Sequence, residues 1–305
     1  MNIDHGLYEN QNRKFLSGIY KPKGTEVFLK VTRPQPLPLN CDLRAFLGTS
    51  FEIYNQGGIG SCTANAIANA YKIMCILRFN KEVSISRLFV YYNERVMIGK
   101  VYEDSGAFIK DGFLSMQSQG SCLEKYWPYI ENRFTTMPPE VCYNKARLHR
   151  THGYNPQLDP TDQVQSIKQW LSLRLPVVIG IMVYESFMTD ECGRTGIIPV
   201  PNPVSERFVG GHALVSVGYD DIKQHFIVLN SWGIVWGDKG FCYIPYQYIA
   251  HADLCNDCHA FSEVELKLLG LDEDLRHYQL DACPLKPVRH CNVKKYIIID
   301  IFNDV

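Results

Sequence analysis

Apolar residues in the first half of the chain recur at three- and four-residue spacing. From Cys62 to Arg78, the residues Ala64, Ile67, Ala68, Tyr71, Met74 and Cys75 share one side of a helix, which predicts a single buried face. Further helices are expected over 86–97 and 106–119, the second stopped by Gly120. An amphipathic segment from Asp162 to Arg174 brings Val164, Ile167 and Leu171 together. After that the period changes. Pro176 to Tyr184, Ala213 to Tyr219, Phe226 to Asn230 and Gly240 to Ile249 are rich in Val, Ile, Phe and Tyr and predict strands. Asp220-Asp221-Ile222-Lys223 is the expected hairpin turn between two of them. Helices first and strands second make an α+β plan, not an alternating parallel one. Residues 1–37 show neither period and end in the stiff run Pro34-Gln35-Pro36-Leu37-Pro38. From 264 to 305 a tail is expected, charged at first and apolar from Tyr296 to Phe302. No internal repeat or low-complexity tract is present.

Composition removes several classes of function. With 46% hydrophobic and 12% aromatic residues, general disorder is excluded. Lys plus Arg number 31 against 32 Asp plus Glu, a net charge of −1, so the basic excess of a nucleic-acid reader is missing. The purest apolar runs, Pro176 to Val183 and Ile297 to Ile299, fall far short of the ~20 residues of a membrane span. The start, MNIDHGLYENQNRK, has no apolar core of a secretory signal, so an intracellular, cytoplasmic location is the default expectation. The 11 cysteines are an odd count, leaving at least one unpaired in a monomer, and a reducing compartment is expected. Oligomeric state is not legible.

Three short stretches carry candidate chemistry. Gln56-Gly57-Gly58-Ile59-Gly60-Ser61-Cys62 places a cysteine at a helix start, where the dipole and free backbone N–H groups favour a thiolate. Gly210-Gly211-His212 leads into a predicted strand. Asn230-Ser231-Trp232-Gly233 follows at the end of the next, where an asparagine can fix an imidazole tautomer and a tryptophan can keep that bond dry. Each has a structural alternative: a small buried residue at a helix start, a structural histidine, a turn plugged by an aromatic ring. Together they supply a nucleophile, a base and an orienter, with Gln56 as a side-chain donor.

In that order and approximate spacing the motifs resemble the papain-like cysteine peptidases, the group of papain and the cathepsins, over residues 38–263. The resemblance implies a two-lobe fold: a helical lobe (38–160) with the nucleophile, and a β-rich, barrel-like lobe (161–263) with the histidine and asparagine. The cleft would lie between them. It implies Cys62 as nucleophile, His212 as base, Asn230 as its orienter and Gln56 as oxyanion donor. Trp232 would shield the His–Asn bond, and Gly60 and Ser61 would support the loop. It also implies a protein or peptide substrate, hydrolysis through an acyl-enzyme, and no cofactor or metal. Thr63 stands where the family usually has tryptophan. Ser105-Gly106 stands where it has a glycine pair that binds substrate backbone, and Gly211 is a further substrate-binding candidate. The floor of the specificity pocket would come from around His259 and Ala260. Residues 1–37 are shorter than the usual inhibitory propeptide, yet a zymogen segment is one expectation; covering the β lobe is the other. An acyl-transfer enzyme of ligase or deamidase type, or a non-catalytic binding module, would use the same fold. Cys255-x2-Cys258-His259, with Cys283, His290 and Cys291 as remote partners, leaves zinc, a disulfide and free thiols open.

Overall fold

The structure, a computed structural model, describes residues 36–152, 162–261 and 263–264. A short strand, β1 (Asn40–Asp42), comes first. It is followed by helix α1 (Cys62–Phe79), buried without a break from Cys62 to Cys75. The sequence pattern predicts one buried face; the structure buries every side of these four turns. The reason is position. Helices α2 (Arg87–Met97) and α3 (Ile109–Ser118) pack on one flank of α1, and the sheet packs on the other. Two of the polar residues this traps find partners close by. Asn65 Nδ2 donates to Ser61 O at 2.9 Å, and Lys72 Nζ donates to Glu52 O at 2.7 Å while sitting 3.8 Å from the Tyr54 ring centre.

Helix α2 is capped by the Ser86 hydroxyl, which accepts from Phe89 N at 3.0 Å. Helix α3 starts three residues later than its pattern predicts, because Gly106 sits at φ +69°, outside helical space. Helix α4 (Glu140–Ala146) and strand β2 (Thr151–His152) complete the first half, and α5 (Gln163–Ser172) opens the second.

Strands β3 (Val177–Tyr184), β4 (Phe208–Asp220), β5 (His225–Leu229), β6 (Phe241–Pro245) and β7 (Cys255–Ala260) make an antiparallel sheet in the order β6-β5-β4-β3-β7. Helix α6 (Asp190–Thr195) lies between β3 and β4, and α7 (Tyr246–Ala250) between β6 and β7. The predicted strand over 240–249 is thus cut at Pro245, whose missing N–H and fixed φ end the ladder and open a helix. Beyond Ser216, β4 pairs with β1, so a segment expected in the helical lobe adds a strand to the sheet. Strand β8 (Glu263–Val264) pairs with β2.

The α+β class stands, but the barrel-like expectation is corrected: the sheet is open, with β6 and β7 at opposite edges. The β6 edge is used otherwise. Tyr243 N donates to Gly196 O at 2.7 Å and Ile198 N to Tyr243 O at 3.1 Å, so the loop after α6 takes the bonds that closure would need. Among the described residues, no helix is long and apolar enough to cross a membrane. The expected N-terminal segment falls, up to residue 35, outside the described residues, and so does the tail beyond Val264.

Candidate active site

The helix start and the strand motifs are brought together by a backbone seam. Gln56 N donates to Ser231 O at 2.8 Å, Gly233 N donates to Tyr54 O at 2.9 Å, and Asn55 bridges Trp232. The loop before Cys62 is therefore fastened to the loop that carries Asn230. Gln56 is fixed at both ends of its amide: Ser231 Oγ donates to its Oε1 at 2.7 Å, and its Nε2 donates to Ile59 O at 3.2 Å. That leaves the second Nε2 hydrogen of Gln56 for another acceptor.

Cys62 is the first residue of α1, and Ser61 is its N-cap. The Ser61 hydroxyl does not cap the helix; it meets Tyr129 OH and accepts from Asn65 Nδ2 at 3.0 Å. Gly60 N donates to Asp104 Oδ1 at 2.9 Å, and Tyr91 OH donates to the same oxygen at 2.6 Å. The backbone N–H groups of Ala213, Thr63 and Cys62 itself face the Cys62 sulfur. Ala213 follows His212, so the nucleophile candidate lies against β4 at the point where the imidazole leaves it.

His212 corrects a detail of the sequence reading. It sits inside β4, opposite Ile181, and not at the strand's start, because the small residues Gly210 and Gly211 extend the pairing with β3. Its Nε2 lies 2.9 Å from Asn230 Oδ1. The same oxygen accepts from Ser231 N at 2.8 Å. A backbone N–H can only donate, so the shared Asn230 atom is the oxygen, and the imidazole nitrogen facing it carries the hydrogen. Nδ1 is then the basic nitrogen of neutral His212. The Trp232 ring stacks on the imidazole at 4.9 Å and is itself walled by Phe187 and Trp236. Gln56, Cys62, His212, Asn230 and Trp232 are each at most 3% exposed.

Burial also governs the charge. It pushes the Cys62 thiol up to about 12, the three N–H groups pull down, and negative charge on the nearby Glu94 carboxyl would add to the rise. A thiolate in this place needs a cation beside it.

The substrate-binding candidates fare differently. Gly211 lies in β4 opposite Met182. Gly106 N already donates to Tyr91 OH at 3.2 Å, and Ser105 Oγ donates to Gly106 O at 2.9 Å, so this backbone is engaged within the protein. His259 and Ala260 are buried in β7, with His259 Nε2 2.7 Å from Asp257 Oδ1. Cys255 and Cys258 are free thiols 3.7 Å apart, and Gln163 Nε2 points at both. Among the described residues, no group of three His, Cys, Asp or Glu could hold a metal ion.

Sequence reasoning missed Tyr129, Ser231, Asp104 and Glu94, all of which hold the site in place. Only Ser231 lay inside a motif already singled out. Tyr129 OH also donates to Gln56 O at 2.7 Å across 73 positions of sequence, a link no local pattern announces.

The model of one family, the papain family cysteine proteases, matches residues 37–265. An uncharacterized peptidase C1-like protein of Acanthamoeba polyphaga mimivirus is 39% identical over 217 residues, 69% of this chain and 69% of that protein. A cathepsin B-like protein of Giardia intestinalis, CP2, is 24% identical over 62% of each chain, so the chain spans under two thirds of that relative. Among solved structures, xylellain, a cysteine protease from Xylella fastidiosa, superposes with a TM-score of 0.71 at 32% identity, covering 84% of this chain and 98% of its own.

Proposed function

Because this chain belongs to the papain family of cysteine proteases, we propose that Cys62, His212, Asn230 and Gln56 carry out its peptide-bond hydrolysis on protein or peptide substrates. The Cys62 sulfur, as thiolate, attacks the scissile carbonyl carbon. The Cys62 N–H and the second Gln56 Nε2 hydrogen receive the oxyanion. His212 gives the proton on Nδ1 to the leaving amine, which departs and leaves a thioester on Cys62. The now neutral Nδ1 takes a proton from water, whose oxygen attacks the thioester and releases the acid. Asn230 Oδ1 holds the Nε2 hydrogen throughout, and Trp232 excludes water from that bond.

The observation that carries this reading is the shared acceptor Asn230 Oδ1, which sets the imidazole tautomer so that Nδ1 is the working nitrogen. Labelling with a peptidyl epoxide, followed by mass mapping, tests it. Modification at Cys62 is expected; modification elsewhere, or none, would speak against a catalytic thiol.

Asn230→Ala is expected to lower turnover roughly ten- to a thousandfold with a small change in KM, because the imidazole still ionises but spends time misoriented. A wild-type kcat in the purified variant would assign the orienting role elsewhere.

The reading extends to residues 1–37 as a zymogen segment. Its apolar side chains Tyr8, Phe15, Leu16, Ile19 and Tyr20 suit a cleft, where such a segment would compete with substrate. A protein starting near Pro36 is expected to turn over a small peptide substrate faster per titrated thiol. Equal rates for the full-length and shortened proteins would end the zymogen reading.

A further inference from the structure

Beneath the nucleophile lies a buried acid that the hydrolytic steps do not use. Glu94 sits on α2 at 0% exposure, and its Oε2 accepts from the Thr63 hydroxyl at 2.8 Å. Thr63 directly follows Cys62, and its backbone N–H is one of those facing the sulfur. Glu94 Oε1 is buried without a hydrogen-bond partner among the described residues. It abuts α3 at Gly112, where a Cβ would collide with Oε1 and with Ile67 Cδ1.

The surrounding charges do not neutralise a carboxylate there. On α2, the Arg95 guanidinium turns away: Nη1 donates to Val101 O at 2.8 Å and Glu103 O at 2.9 Å, Nη2 to Phe134 O, and its carbon lies 4.1 Å from the Tyr91 ring centre. From α3 the nearest titratable group is Asp111, a second acid, with Lys110 acting on Asp111. From the sheet side, Asp257 adds negative charge near Asp111. From α1 come the Thr63 hydroxyl and the Cys62 thiol. A fully buried carboxyl group with one hydroxyl donor and no ion pair among the described residues is stable as the neutral acid.

We infer that Glu94 is a positioning residue for the nucleophile: as a neutral acid it anchors Thr63, fixing the first turn of α1, and sets no second negative charge beside the thiolate. Burial, the leading cause, raises its carboxyl well above the usual range and Asp111 adds to the rise, outweighing the Thr63 hydrogen bond and the Arg95 charge, which act the other way. A charged Glu94 would oppose the Cys62 thiolate directly. Thr63 in place of the family's tryptophan thereby gains a reason, since a short hydroxyl fits this buried turn and reaches the acid. The inference rests on the reading of Cys62 as nucleophile.

The test compares wild type, Glu94→Leu, Glu94→Gln and Thr63→Val by steady-state kinetics and by the pH dependence of Cys62 alkylation with iodoacetamide. Glu94→Leu and Thr63→Val are expected to lower kcat roughly ten- to a hundredfold with little change in KM, the scale of a misplaced reacting group. Glu94→Gln, neutral and still able to accept from Thr63, is expected to recover most of that loss. Its alkylation profile should rise at the same pH as wild type or lower. Wild-type kcat in folded Glu94→Leu and Thr63→Val would overturn the inference, as would a Gln variant as impaired as Leu. So would a Gln profile displaced to higher pH. Should Glu94→Leu not fold, the Gln and Thr63→Val variants decide by the same criteria. The two readings fail separately: a wild-type protein whose Cys62 resists alkylation defeats the catalytic assignment, whereas normal alkylation together with a wild-type kcat in every variant defeats only the role of Glu94.

Discussion

Alanine in place of Cys62 is expected to abolish peptide hydrolysis, by on the order of 10^4- to 10^6-fold in kcat, while the protein stays folded. In the proposed mechanism the sulfur is the atom that bonds to the substrate, so its loss removes the covalent route and leaves only binding and the oxyanion donors. Structure survives because position 62 opens a long helix, where alanine is the most favourable residue. The lost sulfur leaves a small void beside Ala213, a cost on the order of 1 kcal/mol. Turnover of a fluorogenic peptide by the purified variant, with circular dichroism and thermal melting as controls for folding, measures this. Residual activity above about a few per cent of wild type, with contaminating protease excluded, would remove Cys62 from the mechanism.

The parts of this molecule that could be read in advance are those that short stretches of chain determine. Helix α1 was legible because its apolar spacing is local, and it ends at Phe79, one residue past the expected bounds, with Asn80 as its left-handed cap. The α+β order was legible for the same reason. What escaped was set by contacts between distant segments. The alternation that marks a half-exposed strand is absent from Cys255–Ala260, five of whose six residues are buried, so β7 carried no strand signal. Residues 40–42 become a strand only because β4 is long enough to offer them an edge. The His212 strand began earlier than its apolar run because glycines have no β signal, yet β3 supplies partners for them. At the site, the catalytic candidates were legible through residue type and order, and the residues that hold them were not. Tyr129 and Glu94 act across 68 and 31 positions of sequence, and nothing beside them in the chain marks them out.

Removing His212 is expected to silence the Cys62 thiol as well as turnover. Burial, against the pull of three backbone N–H groups, pushes this thiol up to about 12, so the reactive anion is a minor species below that value. An imidazolium at His212 Nδ1 acts in the opposite direction: a neighbouring cation stabilises the thiolate, and the thiolate stabilises the imidazolium. In wild type, the alkylation of Cys62 by a small neutral reagent should therefore rise with a mildly acidic apparent pKa. Turnover should follow that rise and decline again when His212 loses its proton, since no acid then remains for the leaving amine. In His212→Ala the effect of burial meets no cation, because alanine carries no charge; the Ala213, Thr63 and Cys62 N–H groups act equally in both proteins. The thiolate fraction near pH 6 should then fall by about three orders of magnitude or more, and the alkylation rate with it. A plot of alkylation rate against pH for both proteins reads this directly. A wild-type rise that begins only near ~8.5, the free-thiol value, would show that no ion pair forms. A His212→Ala profile lying on the wild-type one would show that some other group supplies the positive charge, and the base of the mechanism would have to be sought there.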